Sequence, residues 1–347
     1  MANILGIEST CDETAAAVVA DGYLVRSNIV ATQVDLHAKY RGVVPEIASR
    51  AHIENILPVL GEAMTRAGYS SNDFSAIDAI AVAQRPGLIG SLLIGVTAAK
   101  SLAWALNKPL IGVDHVHAHL YSIALESNDS PAFPAVGLVC SGGHTALYRL
   151  SDWLDVELIG TTIDDAVGEA YDKVAAILGL EYPGGPVIDR LAKFGNPSTI
   201  HFPRTLLGRT SLDFSFSGLK TSVLYHVRGV PRRGQSIKQQ PTELDDDALD
   251  DICASFQAAC VDVLVEKIRR AAKKINAKSI VIGGGVSANS GLRDALRSFP
   301  IPVYLPQLRY CTDNAAMSAG LADMYYRAGK FSELSIDAIP YSQFAKQ

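Results

Sequence analysis

The chain has 347 residues, 48% of them hydrophobic and 19% charged, with 28 glycines, five cysteines and a net charge of −5. That length exceeds one comfortable core and predicts two lobes, and the composition excludes a disordered or fibrous protein. The acidic balance argues against nucleic-acid binding driven by bulk charge and leaves a local basic patch open.

Cys11, Cys140, Cys253, Cys260 and Cys311 are odd in number and form no C-x-x-C pair, which predicts reduced thiols in a cytosol. The chain begins with the strand MANILGIE and not with a charged-then-apolar leader, and its apolar runs read as shorter than a membrane span. A cytoplasmic protein without a membrane partner is expected.

In chain order, NILGIESTCDETAAAVVADGYLV reads as an apolar strand, a polar turn at residues 8–14 and a second strand. Residues 45–68 and 87–106 read as helices separated by the strand AIDAIAVA. Pro86 and Gly87 stand at a helix entrance, where free amides can meet an anion.

The segment DHVHAHLYSIAL carries His115, His117 and His119. In a strand all three would share a face; in a helix only the pair four apart would. The helix is favoured, with Asp114 as N-cap and Val116, Leu120, Ile123 and Ala124 as one apolar stripe. His115 and His119 then share a face, and His117 points outward, roughly 180° from them. Two imidazoles one turn apart suit a divalent metal. A buried, hydrogen-bonded pair is the alternative.

FPAVGLVCSGGHTALYRL repeats the strand–turn–strand layout, which predicts two related α/β lobes facing a cleft; two unrelated hairpins are the alternative. Residues 229–251 lack periodicity, pass from basic to acidic, and read as a mobile insertion. The long helix DICASFQAACVDVLVEKIRRAAKKI follows, turning Ile252, Phe256, Cys260 and Leu264 inward. KSIVIGGGVSANSGLRDAL is a strand, a glycine turn and a helix start, with Asn289 entering the helix beside the turn.

Several turns carry more functional side chains than folding needs. Glu8, Ser9, Asp12 and Glu13 crowd one turn, where carboxylates repel unless a metal, a basic ligand or a proton compensates. SGGHT combines a hydroxyl at Ser141, small residues at Gly142 and Gly143, and a titratable His144. Asp172 and the glycine pair 184–185 suit contacts to a sugar or base. Asp313, in CTDNAAM, is a hard oxygen ligand able to complete a two-His, one-carboxylate site.

GIESTCDET, RGVVPEIASRAH, the H-x-x-x-H pair, SGGHT, VGEAYDK with YPGGP, DFSFSGLKT, GGGVSAN and CTDNAAM occur together in this order. In that combination, spanning residue 4 to about 325, the chain resembles the bacterial and organellar TsaD (Gcp, YgjD) family. The resemblance implies an α/β, two-lobed actin-like ATPase fold of the sugar kinase/Hsp70/actin kind, an RNase H-like unit duplicated, with a nucleotide and metal cleft between lobes. It implies lobes of 1–120 and 121–311, with a C-terminal helix near 312–330 packing back on the first. The implied activity is that of an acyl (carbamoyl) transferase. It moves threonylcarbamoyl from threonylcarbamoyl-AMP to N6 of the adenosine 3′ of the anticodon, in tRNAs reading A-starting codons.

Carried over by motif, His115, His119 and Asp313 hold one divalent metal, iron(II) with zinc as alternative. Val139, Cys140, Ser141, Gly142 and Gly143 line phosphate and substrate, with threonylcarbamoyl-AMP or ATP/ADP in the cleft. Asp172, Gly185, Asp189 and Asn289 contact the nucleoside, and Asp12, Glu13 and His144 stand near the reacting amine. The implied partners are tRNA, a paralogous inactive TsaB-type dimer subunit and a small TsaE-type P-loop ATPase, with the helices at 45–68 and 87–106 as candidate contact surfaces.

His117, Gln84-Arg85 and Cys140 depart from the family pattern without touching an implied ligand. An actin-fold sugar kinase and a non-catalytic nucleotide switch remain as alternatives. A zincin-type protease needs Glu directly after the first histidine, and Val116 stands there instead.

Overall fold

The computed structural model describes residues 1–127, 130–230 and 244–344. Its elements run β1 (Asn3–Glu8), β2 (Glu13–Ala20), β3 (Leu24–Thr32), α1 (Val34–Ala38), α2 (Pro45–Arg66), β4 (Ala79–Arg85), α3 (Ile89–Leu106), β5 (Leu110–Asp114) and α4 (His115–Tyr121). They continue with β6 (Ala135–Cys140), β7 (Thr145–Asp152), β8 (Asp155–Thr161), α5 (Val167–Leu178), α6 (Gly184–Leu191), α7 (Ser217–Arg228) and α8 (Asp246–Ile275). The last are β9 (Ser279–Gly283), α9 (Ser290–Leu296), β10 (Val303–Tyr304) and α10 (Ala315–Arg327).

The strands form two five-stranded mixed sheets. One is ordered β3-β2-β1-β4-β5 and the other β8-β7-β6-β9-β10. In each, the first three strands pair antiparallel and the rest add in parallel. Renumbered within its own sheet, each order reads 3-2-1-4-5, so the two hairpins read from the sequence belong to a duplicated unit. The third strand of each unit, β3 and β8, emerges only here; both carry many exposed positions, so neither shows a long apolar run. Central strands β1, β2 and β6 are almost wholly buried, as expected when helices cover both faces.

Helices α4 and α10 lie between the sheets. One apolar cluster joins Val116 and Leu120 of α4 and Met317 of α10 to Ile4 and Ala15 of the first sheet and to Ala135, Val139 and Leu150 of the second. Residue 120 therefore falls inside a shared helix. Two strand glycines permit this seating. A Cβ at Gly6 would stand 2.5 Å from the Ala315 carbonyl oxygen, and one at Gly283 would run into the His119 carbonyl. With no side chain there, α10 rests on β1 and α4 on β9.

Three sequence expectations change. Residues 246–251 are not part of a loop: they form the first turns of α8, because Asp245 caps that helix by accepting from the Ala248 amide. The rest of the expected insertion, residues 231–243, lies outside the described residues. The entrance of α3 is narrower than expected, since the Leu88 amide just before the helix donates to the Thr10 carbonyl and Gly87 packs against Thr10. Helix α3 is also long and apolar enough, by length and composition, to cross a membrane. Its Ser91, Leu92, Gly95, Val96, Ala99 and Ala103 are buried.

Candidate metal and nucleotide site

Helix α4 forms as the residue spacing predicts. Asp114 Oδ1 accepts from the amides of Val116 and His117, satisfying two of the helix's free donors. One turn apart, His115 and His119 point the same way, their rings 4.6 Å apart between centroids. Asp313 meets them from the segment just before α10. Asn314 caps that helix through the Met317 amide, and this holds the preceding residue in place. His119 Nε2 lies 3.1 Å and His115 Nε2 3.5 Å from Asp313 Oδ1. Ligand atoms of all three residues fall within 4.8 Å of one another, so the group can hold a metal ion.

The far side of His115 is occupied by Glu8, which is fully buried at the end of β1. Its Oε2 lies 3.1 Å from His115 Nδ1 and accepts from Ser318 Oγ at 3.2 Å, while Oε1 accepts from the Thr10 amide at 2.9 Å. A carboxylate only accepts, so Nδ1 of His115 carries the proton and Nε2 presents its lone pair to Asp313. Two lone pairs facing across 3.5 Å repel unless a proton or a cation lies between them. This is the chemistry of a cation site, and the donor set fits a divalent metal.

The electrostatics agree. Burial opposes charge on His115, yet Glu8 and Asp313 outweigh it and lift its pKa to about 9. Burial also works against Asp313, but His115 and His119 hold it below the usual carboxylate range. His119 is lowered by burial and by His115; among the described residues its Nδ1 has no hydrogen-bond partner. His144 is pushed down to about 4 by burial and then by the two metal-facing histidines, which places it beside them. Glu13 is pushed up to about 10 by burial, with Asp313 and Asp12 adding to it. The acidic turn thus faces the same centre.

The turn between β6 and β7 is built differently. The Ser141 amide donates to the His144 carbonyl at 2.8 Å, and Ser141 Oγ accepts from the His144 amide at 3.1 Å. Gly142 and Gly143 are exposed, have no left-handed φ, and would meet nothing within 4 Å if given a Cβ. Gly185 and Gly285, half-buried, likewise have no left-handed φ and would meet nothing within 4 Å. Packing does not demand glycine at these four positions; close approach of a ligand would. Gly284 differs, with φ +90° and the Cys140 carbonyl in the way of any Cβ. Two expected substrate contacts do not reach this space by side chain. Val139 and Cys140 are fully buried because successive residues of central strand β6 point into cores on opposite faces.

Asp172, on α5, accepts from the Gly184 amide at 2.8 Å and so holds the start of α6. Asp189 Oδ1 accepts from both the amide and the hydroxyl of Ser290, tying α6 to α9. Asn289 caps α9 through the Leu292 amide and donates to Gln257 Oε1 at 2.6 Å. These residues join four helices, α5, α6, α8 and α9.

Sequence reasoning saw Glu8 as part of a crowded turn but not as the partner of His115; a carboxylate closing an otherwise apolar strand was the available signal. It missed His52, which bridges Thr14 Oγ1 at 2.7 Å and the Cys11 carbonyl at 3.0 Å, pinning the acidic turn. It turned His117 outward. His117 does point away from the pair, yet it is buried, packing edge-to-face on Phe344. The C-terminal segment returns here: Ser342 Oγ and the Gln343 amide both donate to Asp114 Oδ2.

A family model described as TsaD: tRNA N6-adenosine threonylcarbamoyltransferase matches residues 24–320. The tRNA N6-adenosine threonylcarbamoyltransferase of Moorella thermoacetica is 51% identical over 342 residues, covering 97% of this chain and 96% of that one. Its counterpart from Trichlorobacter lovleyi is 50% identical over 350 residues, covering 99% and 98%. Among solved structures, HypF of T. kodakarensis aligns with a TM-score of 0.60 at 16% identity, over 95% of this chain and 48% of that one. Component A of the Acidaminococcus fermentans (R)-2-hydroxyglutaryl-CoA dehydratase aligns at 0.52 and 13% identity, over 95% and 100%. These two show the fold alone, the actin-like duplicated architecture of the two sheets. The chain belongs to the TsaD family.

Proposed function

We infer that this protein transfers the threonylcarbamoyl group of threonylcarbamoyl-AMP to N6 of the adenosine 3′ of the anticodon, in tRNAs that read codons beginning with A. AMP is released. The reading is supported above all by one observation: in a chain half identical to such enzymes, two histidines and an aspartate converge beside an open glycine turn.

The bond from N6 to the carbamoyl carbon forms, the bond from that carbon to the phosphate oxygen breaks, AMP leaves with the electron pair, and N6 loses a proton. Gly142 and Gly143 let the backbone approach the phosphate. Asp172, Gly185 and Asp189 receive ribose and base. Among the described residues every hydrogen bond of Asp189 falls on Oδ1, which keeps Oδ2 for a hydroxyl. Asn289 shapes the same wall as a helix cap. His144, neutral at pH 7, offers a lone pair near the amine. Glu13 carries its proton while no cation is present, so His144 is the acceptor in that state, with Asp12 beside it in the acidic turn.

His115, His119 and Asp313 hold the metal. Two imidazoles and one carboxylate with open positions suit iron(II), with zinc as the alternative. When bound, the ion supplies Lewis-acid stabilisation and a template for substrate oxygens.

For partners, α2 and α3 leave Ile53, Leu57, Leu93 and Trp104 exposed. We assign this face to a TsaB-type subunit, and a TsaE-type ATPase acts on the pair. Single-turnover transfer to tRNA is the test, using protein, partner subunits and threonylcarbamoyl-AMP. Modified adenosine should form in the first turnover. Release of phosphate from ATP with no modified adenosine would instead favour a kinase or a nucleotide switch.

A further inference from the structure

The two metal-facing histidines differ on their far sides. Nδ1 of His115 meets Glu8 Oε2 at 3.1 Å and Thr10 Oγ1 at 3.3 Å, whereas Nδ1 of His119 has no partner among the described residues. Glu8 is itself fully satisfied: the Thr10 amide, His115 Nδ1 and the Ser318 hydroxyl all address it. These contacts come from the turn after β1, from α4 and from α10, the three elements that supply the site.

We propose that Glu8 is a positioning residue for the metal site: it fixes His115 as the Nδ1–H tautomer and aims its Nε2 at the ion, while His119 is left free to adapt. The inference rests on the metal reading of His115, His119 and Asp313. Three physical points carry it. An acceptor-only carboxylate at Nδ1 admits only the tautomer whose Nε2 can ligate. Partial transfer of that proton toward Glu8 makes Nε2 a stronger donor. Finally, Glu8 is anchored by Ser318, in the first turn of the helix that follows Asp313, so one carboxylate ties α4 and α10 to β1.

The consequence is a site with one rigid and one compliant imidazole. His115 sets the position of the ion. His119, whose ring nitrogens among the described residues bond to Asp313 alone, follows changes in coordination as substrate oxygens enter and leave.

The test uses the full chain and zinc as probe ion, with Glu8→Gln and Ser318→Ala beside wild type. Zinc affinity is measured by chelator competition, histidine tautomers by long-range proton–nitrogen NMR on the metal-free protein above pH 9, where His115 is neutral, and stability by thermal unfolding. For Glu8→Gln we expect a roughly 10- to 100-fold loss of zinc affinity and a mixed His115 tautomer. Ser318→Ala, which leaves Glu8 in place, should weaken zinc about two- to fivefold without changing the tautomer. Wild-type zinc affinity in a folded Glu8→Gln protein would overturn the proposal. An Nε2–H tautomer at His115 in the wild-type protein would also overturn it, and this is read without any metal. Wild type that binds no zinc or iron while showing the Nδ1–H tautomer would instead remove the metal reading and leave the Glu8–His115 pairing standing. If Glu8→Gln does not fold, the wild-type tautomer and Ser318→Ala decide.

Discussion

The same position in the two duplicated units holds two opposite turns. After β1 the four residues 9–12 link to β2; after β6 the four residues 141–144 link to β7. The first turn is acidic, with Glu8 buried against His115, and Asp12 and Glu13 crowding Asp313. The second is small and open, with Gly142 and Gly143 facing space. One fold unit, used twice, has placed buried carboxylates beside the His115–Asp313 group after one strand and open, small residues after the other. Position in the fold supplies geometry, and the turn's residues decide which charge it accepts.

Removing the acidic half should have the largest effect. Asp313→Ala leaves two imidazoles without a carboxylate; metal occupancy should fall below about a tenth and single-turnover transfer by about 10³-fold, the several kcal/mol of Lewis-acid stabilisation. Metal analysis of anaerobically purified protein checks it, and full occupancy would show that the acidic half is not the metal side.

The glycine half should separate into two kinds of position. Gly284→Ala forces a Cβ into the Cys140 carbonyl at a left-handed φ, and should cost about 1–3 kcal/mol with a clear fall in Tm. Gly143→Ala meets nothing in the described structure and should leave stability unchanged or raise it by up to about 1 kcal/mol through the unfolded chain. It should nevertheless raise the KM for threonylcarbamoyl-AMP. Equal kinetics in Gly143→Ala and wild type would mean that the open space holds no substrate.

Acidic and basic groups in the first half also predict a pH signature for metal-free protein. The folded pKa of His115 is raised from 6.5 to about 9, so its contribution is complete below pH 6.5 and lost as pH rises through about 9. Glu13 acts in the same direction: the folded protein keeps its proton up to about 10, whereas the unfolded chain loses it near 4.5. Tm should therefore fall between pH 6.5 and 9, with His115 accounting for at most about 3 kcal/mol. Asp313→Asn should shrink that fall, and saturating zinc should remove it, because the ion replaces the proton. A flat profile in metal-free wild type would contradict the arrangement.

The smallest effect belongs to the C-terminal segment, which reaches Asp114 and His117 at the histidine helix and Tyr148 on β7 of the other unit. Phe344→Ala removes edge-to-face contacts to His117 and Tyr148, and should cost about 1 kcal/mol by thermal unfolding. Metal affinity should change less than threefold, while the affinity of the glycine half for nucleotide should not change.

Much of this site was legible because its key pair is local. His115 and His119 are four apart, and a helix with a capping Asp114 must bring them together whatever surrounds it. SGGH was readable for a similar reason, since consecutive small residues in a turn have few other uses. Asp313, 194 positions from His119, could be placed only by resemblance. Neither periodicity nor spacing constrains a contact that depends on two glycines, Gly6 and Gly283, letting helices rest on strands. His117 was misjudged because phase says which way a side chain points, but not what arrives to cover it; Phe344 comes from 227 residues away. Val139 and Cys140 keep their side chains in the cores because the motif run crosses from a buried strand into an exposed turn within two residues.

The sequence by itself determined the α/β class, the doubled hairpin, the phase of the histidine helix and the family, because each rests on local periodicity or on ordered motifs. Only the tertiary structure decided that Asp313 meets the histidine pair, that Glu8 faces His115 Nδ1, that four glycines border free space, and that Phe344 covers His117. Those contacts are long-range, and their energy comes from burial and close approach, which no stretch of residues encodes until the sheets and helices are packed.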